Sequence, residues 1–137
     1  MRFMILVKAD ADTEAGAMPT DDTLMAEMAA YHGELLRAGV LLDGAGLKPS
    51  RHGWRMGYDG ARRTVTDGPF TEAKELIAGY TLIQTATREE ALEWTRRFPN
   101  PSLHGTPCHI EVRELYELDD FPDNAPREQM REMGLGA

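Results

Sequence analysis

Residues 3–7, Phe-Met-Ile-Leu-Val, are apolar without interruption. A strand with one wet face alternates apolar and polar side chains, whereas an unbroken run calls for cover on both faces. The run therefore reads as a central, buried strand, and the rest of the chain must supply its neighbours. Lys8 and Asp10 end it. It is too short for a signal-peptide core. No stretch of the chain reaches the roughly 20 apolar residues of a membrane span.

The hydrophobic period then changes to that of a helix. Residues 9–19 carry no period and read as a loop. Thr20 is placed as the helix cap, with Asp21 and Asp22 at the positive end. Leu24, Met28, Tyr31 and Leu35 share one face, and the helix ends near Ala38 before Gly39. Val40–Leu42 is extended, and Asp43-Gly44-Ala45-Gly46 reads as a turn. Residues 51–57 and 62–66 form a hairpin about Tyr58-Asp59-Gly60. Asp67-Gly68-Pro69-Phe70 interrupts the sheet, and Leu76–Gln84 is the next strand. Thr87 and Glu90 have the form of a capping box for a second helix reaching Arg97. His109–Val112 is the last strand. The order is β-α-β-(β-β)-β-α-β. The simplest layer solution is α+β, with two helices on one face of a mostly antiparallel sheet and an added hairpin. This resembles a ferredoxin-like core of the dimeric α–β barrel type.

Composition narrows the functional classes. The chain has 137 residues, enough for one domain but not two. The domain is placed at residues 1–115, followed by an acidic tail at 116–137 that is partly docked or mobile, with a short helix at 127–133. The net charge of −8 opposes a broad nucleic-acid footprint. The single cysteine, Cys108, allows no intrachain disulfide and fits a reducing, cytoplasmic setting. His52, His104, His109 and Cys108 lack the spacing of a metal motif, and no phosphate loop is present. No metal and no cofactor is therefore expected.

The segment Asp67-Gly68-Pro69-Phe70, with Glu72, Lys74 and Glu75 and then Leu76-Ile77-Ala78-Gly79-Tyr80, resembles the DGPF branch of the YCII-related family. Ala38-Gly39-Val40-Leu41-Leu42, Gly46-Leu47-Lys48-Pro49 and Glu111-Val112-Arg113 add to the likeness, which spans roughly residues 1–115. The resemblance implies a ferredoxin-like α+β fold and a homodimer, whose second subunit would cover the other sheet face. Some YCII-like domains act on halogenated aromatic breakdown products, with a His–Asp pair suspected. In those relatives the His lies in the first helix, where Met28 stands here and His32 follows one turn later. Some DGPF-type genes are linked to extracytoplasmic-function sigma factors.

Each candidate site residue has a structural reading beside its functional one. Asp67 can accept a proton, or it can fix the bend as an Asx-turn. His32 can do acid–base work near neutrality, or sit hydrogen-bonded at a helix edge. Lys8 can hold an anionic ligand or pair with a carboxylate. Glu75 is the second carboxylate candidate, otherwise part of a solvated rim with Glu72 and Lys74. Phe70, Tyr31 and Tyr80 can line a pocket or pack. The leading functional reading is a pocket near the DGPF turn that binds a small polar organic molecule. Asp67 and His32 would be its acid–base groups, with Lys8, Tyr31, Phe70, Glu75 and Tyr80 as liners. The alternative is a non-enzymatic dimeric interaction or regulatory module, with no nucleic acid and no membrane among its partners.

Overall fold

The computed structural model describes residues 1–136. Strand β1 (Arg2–Lys8) lies at the centre of the main sheet. It pairs on one side with β5 (Ile77–Gln84) and on the other with β6 (Ile110–Glu114). Strand β2 (Leu41–Gly46) adds beyond β5, giving the order β2-β5-β1-β6 with every pair antiparallel. Helices α2 (Thr23–Arg37) and α3 (Arg88–Arg96) pack on one face. The result is an α+β fold consistent with ferredoxin-like topology.

Register explains the core. Ile5 stands opposite Thr81 and Val112, and Phe3 opposite Ile83, so these positions share the helix-facing side. Phe3, Ile5 and Ile83 meet Tyr31 and Leu35 of α2, Val40 beyond it, and Ala91 of α3. Ile5, Leu35 and Ile83 are fully buried. Each contributes about 1.5–3 kcal/mol by leaving water. The intervening residues Met4 and Leu6 are only half-buried on the other face.

Helix α2 ends as its sequence requires. The Val40 amide donates to the Leu35 carbonyl and the Gly39 amide to that of Leu36. Gly39 has φ of 74°, and the apolar pair Leu35 and Val40 is buried beside it. These are the bonds and contact of a Schellman ending. The start differs from the sequence expectation. The helix begins at Thr23, and Thr20 does not cap it. The Asp21 carboxylate accepts from the Thr23 amide instead, at 2.9 Å. That bond holds the Asp21 carboxyl below its ordinary range. An ionised carboxylate is a stronger acceptor for a helix-start amide than a hydroxyl.

Other boundaries also shift. The expected loop at 9–19 contains a one-turn helix, α1 (Ala11–Glu14), because Asp10 and Thr13 cap each other reciprocally. The expected turn at 43–46 is the body of β2, paired with Leu82–Gly79 after a register shift. Its glycines are compatible with a sheet whose neighbour supplies the hydrogen bonds. Residues 50–52 form a single 3-10 turn, so β3 begins at Trp54 and runs to Asp59. Its partner β4 is Arg62–Asp67. The reversal lies at Gly60-Ala61, one residue later than expected. Gly60 takes φ of 58°, which the first position of a tight II′-type hairpin demands. The cap of α3 is Thr87, but Glu90 reaches the Ala86 amide rather than that of Thr87. Beyond β6, Arg2 donates twice to the Glu117 carboxylate, both at 2.9 Å, tying the end of the chain to β1. Helix α4 (Ala125–Glu132) follows, and Leu118 is buried with its amide donating to the Gly136 carbonyl.

The β3–β4 hairpin forms a sheet of its own. Two strands alone are marginal in water, so the joint at its base matters. The Gly68 amide donates to the Gly53 carbonyl at 3.0 Å. The Phe70 amide donates to Ser50 Oγ at 3.0 Å, and both the Ser50 amide and its hydroxyl donate to the Glu14 carboxylate. The Arg55 guanidinium lies 3.9 Å from the centre of the Phe70 ring. A Cβ at Gly68 would collide with the Ser50 carbonyl, so the backbone approaches where only glycine fits. We predict that Gly68→Ala destabilises the protein by at least about 2 kcal/mol, because backbone rather than a flexible side chain must move. Denaturant unfolding checks this, and a loss below 0.5 kcal/mol (roughly the size of a neutral surface change) would refute it.

Candidate functional site

A cavity of about 790 Å³ opens between α2 and the β2–β5 edge of the sheet. Its origin is a floor without side chains. Gly46 stands opposite Gly79, and Gly44 opposite Thr81, whose side chain meets α2. Because side chains alternate along a strand, Gly44, Gly46 and Gly79 all occupy the helix-facing side. Leu24, Met25, Met28 and Leu36 form an apolar roof, and Phe98 and Leu103 close one flank.

Two polar side chains meet at this cavity. His32 Nδ1 lies 2.7 Å from the Met28 carbonyl, and Nε2 lies 2.8 Å from Thr81 Oγ1. A carbonyl can only accept, so Nδ1 carries the hydrogen. In the neutral ring Nε2 is then an acceptor, and the Thr81 hydroxyl donates to it. Thr81 is 3% exposed and His32 half-buried, so the hydroxyl side of the pair is shielded from bulk water. A hydroxyl bonded to a histidine that is itself oriented from behind can move a proton. Tyr31 fixes this ring from the side. Its ring packs edge-on to His32 and Phe98, with centroids 5.6 and 5.2 Å away, and its hydroxyl donates to the Trp94 carbonyl at 2.8 Å.

The residues singled out from sequence are distributed over separate places. His32 and Tyr80 line the glycine-floored cavity. The Tyr80 hydroxyl donates to Asp43 at 2.9 Å, and that carboxylate raises the phenol's pKa. Phe70 and Glu75 line a second cavity, of about 480 Å³, beside the DGPF turn. Lys8 lines a third, of about 340 Å³. Tyr31 is buried and belongs to the packing behind His32. Asp67 is exposed at the end of β4, opposite Trp54, and lines none of these three cavities. Thr81 and the three floor glycines were not singled out as site residues. The signal for two of the glycines lies in Asp43-Gly44-Ala45-Gly46, where glycine recurs with the period of one strand face.

Residues 1–117 match the YCII-related domain. The chain belongs to the YCII-related family. An uncharacterized protein of Rhizobium meliloti (strain 1021) is 28% identical to it over 123 residues, which covers 89% of this chain and 99% of that protein. Among solved structures, it is similar to 5-chloro-2-hydroxyhydroquinone dehydrochlorinase from Burkholderia phenoliruptrix AC1100, in complex with 2,5-dihydroxybenzoquinone. There the TM-score is 0.44 and the identity 14%, over 85% of this chain and 95% of the other.

Burial also sets a pH limit on this YCII-related chain. Desolvation pushes the Tyr31 phenol from 10.0 up to about 12, with nearby Arg97 opposing the shift and Glu34 adding to it. The folded pKa is raised, so the neutral phenol's contribution is complete below pH 10 and is lost as pH rises towards 12. We predict that ultraviolet titration shows a tyrosinate step near pH 12 that Tyr31→Phe removes. A Tyr31→Phe titration curve identical to the parent's would refute the assignment.

Proposed function

We propose that this protein binds a small, largely apolar organic molecule carrying a hydroxyl or carbonyl group in the glycine-floored cavity. The observation that supports this most directly is the hydrogen-bonded His32–Thr81 pair at the edge of a largely apolar space of about 790 Å³. That volume falls in the range of small-molecule pockets, which are mostly apolar with few polar groups. A cofactor-independent proton transfer fits the pair. An acidic proton of the ligand passes to Thr81 Oγ1 while the Thr81 hydrogen passes to His32 Nε2. The ligand becomes an anion and the ring an imidazolium. The Met28 carbonyl accepts from Nδ1 in both states and so keeps the ring in place.

The glycine floor provides the test. A Cβ at Gly46 meets only the Ala78 carbonyl, at 4.0 Å, and its φ is not positive. Gly46→Val therefore adds side-chain volume to the cavity floor with an unobstructed Cβ, on an edge strand that favours β-branched residues. We predict that Gly46→Val melts at or above the parent temperature and loses binding of monocyclic phenols and cyclic ketones in ligand-observed NMR. His32→Ala should weaken the same binding by about tenfold, the value of one good polar contact. Binding that survives both changes would refute the cavity as the site.

We further propose the DGPF branch, on the strength of the turn at 67–70, and a homodimer that completes an α–β barrel. Trp54, Met56 and Tyr58 alternate along β3, and Val65 stands opposite Met56, so one hairpin face is an exposed apolar stripe. Met4, Leu6 and Leu82 leave the outer sheet face half-covered. A second copy of the chain covers such surfaces symmetrically. Sedimentation equilibrium should give about twice the 15.3 kDa chain mass, and Trp54→Arg with Tyr58→Glu should shift it to the monomer. A monomeric parent protein at micromolar concentration would remove the dimer.

A further inference from the structure

We propose that the smallest of the three cavities is an anion site, taking the carboxylate or phosphate group of a small molecule. It lies where β1 ends, between the 73–75 turn and the 101–109 loop, and it encloses about 340 Å³. The chain has only three lysines and a net charge of −8, yet Lys8 and Lys74 both line this one space, together with His109. Neither lysine takes part in a salt bridge among the described residues. Lys8 is also half-buried. One carboxylate, that of Asp10, lines the cavity as well. Its Oδ1 accepts from the Thr13 amide at 2.9 Å in the α1 cap.

Two ammonium groups lining one small space repel, and in an acidic protein the economical arrangement gives each a carboxylate. Two ammonium groups against the single Asp10 carboxylate leave an excess of positive charge around this concave space. A bound oxyanion relieves the repulsion and accepts charge-assisted hydrogen bonds from both amines. Val7, Thr13 and Pro101 line this cavity and the glycine-floored one alike, so the two share a wall. The anion site stands independently of what the larger cavity binds.

The test uses sodium acetate and inorganic phosphate as separate probes, titrated at constant ionic strength into the full chain. Amide NMR shifts of Ala9 and His109 report occupancy. In the parent protein at least one probe should give a saturable shift confined to these segments. Lys8→Gln and Lys74→Gln should each weaken it by about tenfold, as expected for loss of one charge-assisted bond, whereas Arg62→Gln on the hairpin should leave it unchanged. Saturation by acetate alone assigns a carboxylate, and by phosphate alone a phosphate. Lys8 is half-buried and Lys74 exposed, so the variants should keep the parent melting temperature. Shifts that stay linear with both probes, or that persist in both lysine variants, overturn the proposal.

Discussion

The pairing of β1 on both sides is the constraint from which the rest of the molecule follows. Arg2–Lys8 hydrogen-bonds to a strand some 75 residues later in sequence and to another beyond residue 110. A strand held on both edges has no freedom to slip, because a shift of one residue would turn Phe3 and Ile5 away from the helices. Once that register is set, α2 and α3 have one apolar face to cover. Tyr31, Leu35 and Ala91 are the residues that cover it.

The same register carves the candidate site. Where β1 meets β5, bulky Ile5 and Ile83 fill the space beneath α2. Along β2 and β5 beyond the Leu41–Ile83 pair, the helix-facing positions are glycines and Thr81. The helix cannot sink to fill the gap, because its other end is fixed by Tyr31, Leu35 and the Schellman ending at Gly39. Forfeited packing at one end of the sheet thus leaves a cavity, and His32 sits at its rim. Natural cores are close-packed, so a floor emptied at three adjacent positions is a costly arrangement for a protein to keep without use.

The DGPF segment does mechanical work. Gly68 leaves room for the Ser50 carbonyl, the Phe70 amide donates to Ser50 Oγ, and the Glu14 carboxylate accepts from the Ser50 amide and hydroxyl. The short helix α1 is thereby connected through one carboxylate to the base of the hairpin. Of the polar residues that follow the motif, Glu75 lines the cavity beside this joint and Lys74 a different one, while the His32–Thr81 pair is supplied by α2 and β5.

Much of this was legible in the chain. The unbroken run at 3–7, the heptad-like face of α2, the Thr87 cap and the Gly39 ending each act through neighbours within a few residues, so the element order could be read directly. Asp43-Gly44-Ala45-Gly46 was misread as a turn because its local chemistry is that of a turn. Only pairing with β5 makes it a strand. The distribution of candidate residues was equally hidden. Asp67 and His32 belong to elements whose relative placement depends on how the hairpin docks. By itself, the sequence determined the principal strands and helices, their order and the family, because propensity, capping and periodicity are local. Tertiary structure alone decided that His32 meets Thr81, 49 residues away, and that two lysines line one cavity. Such meetings depend on sheet register and helix placement, which no single segment encodes.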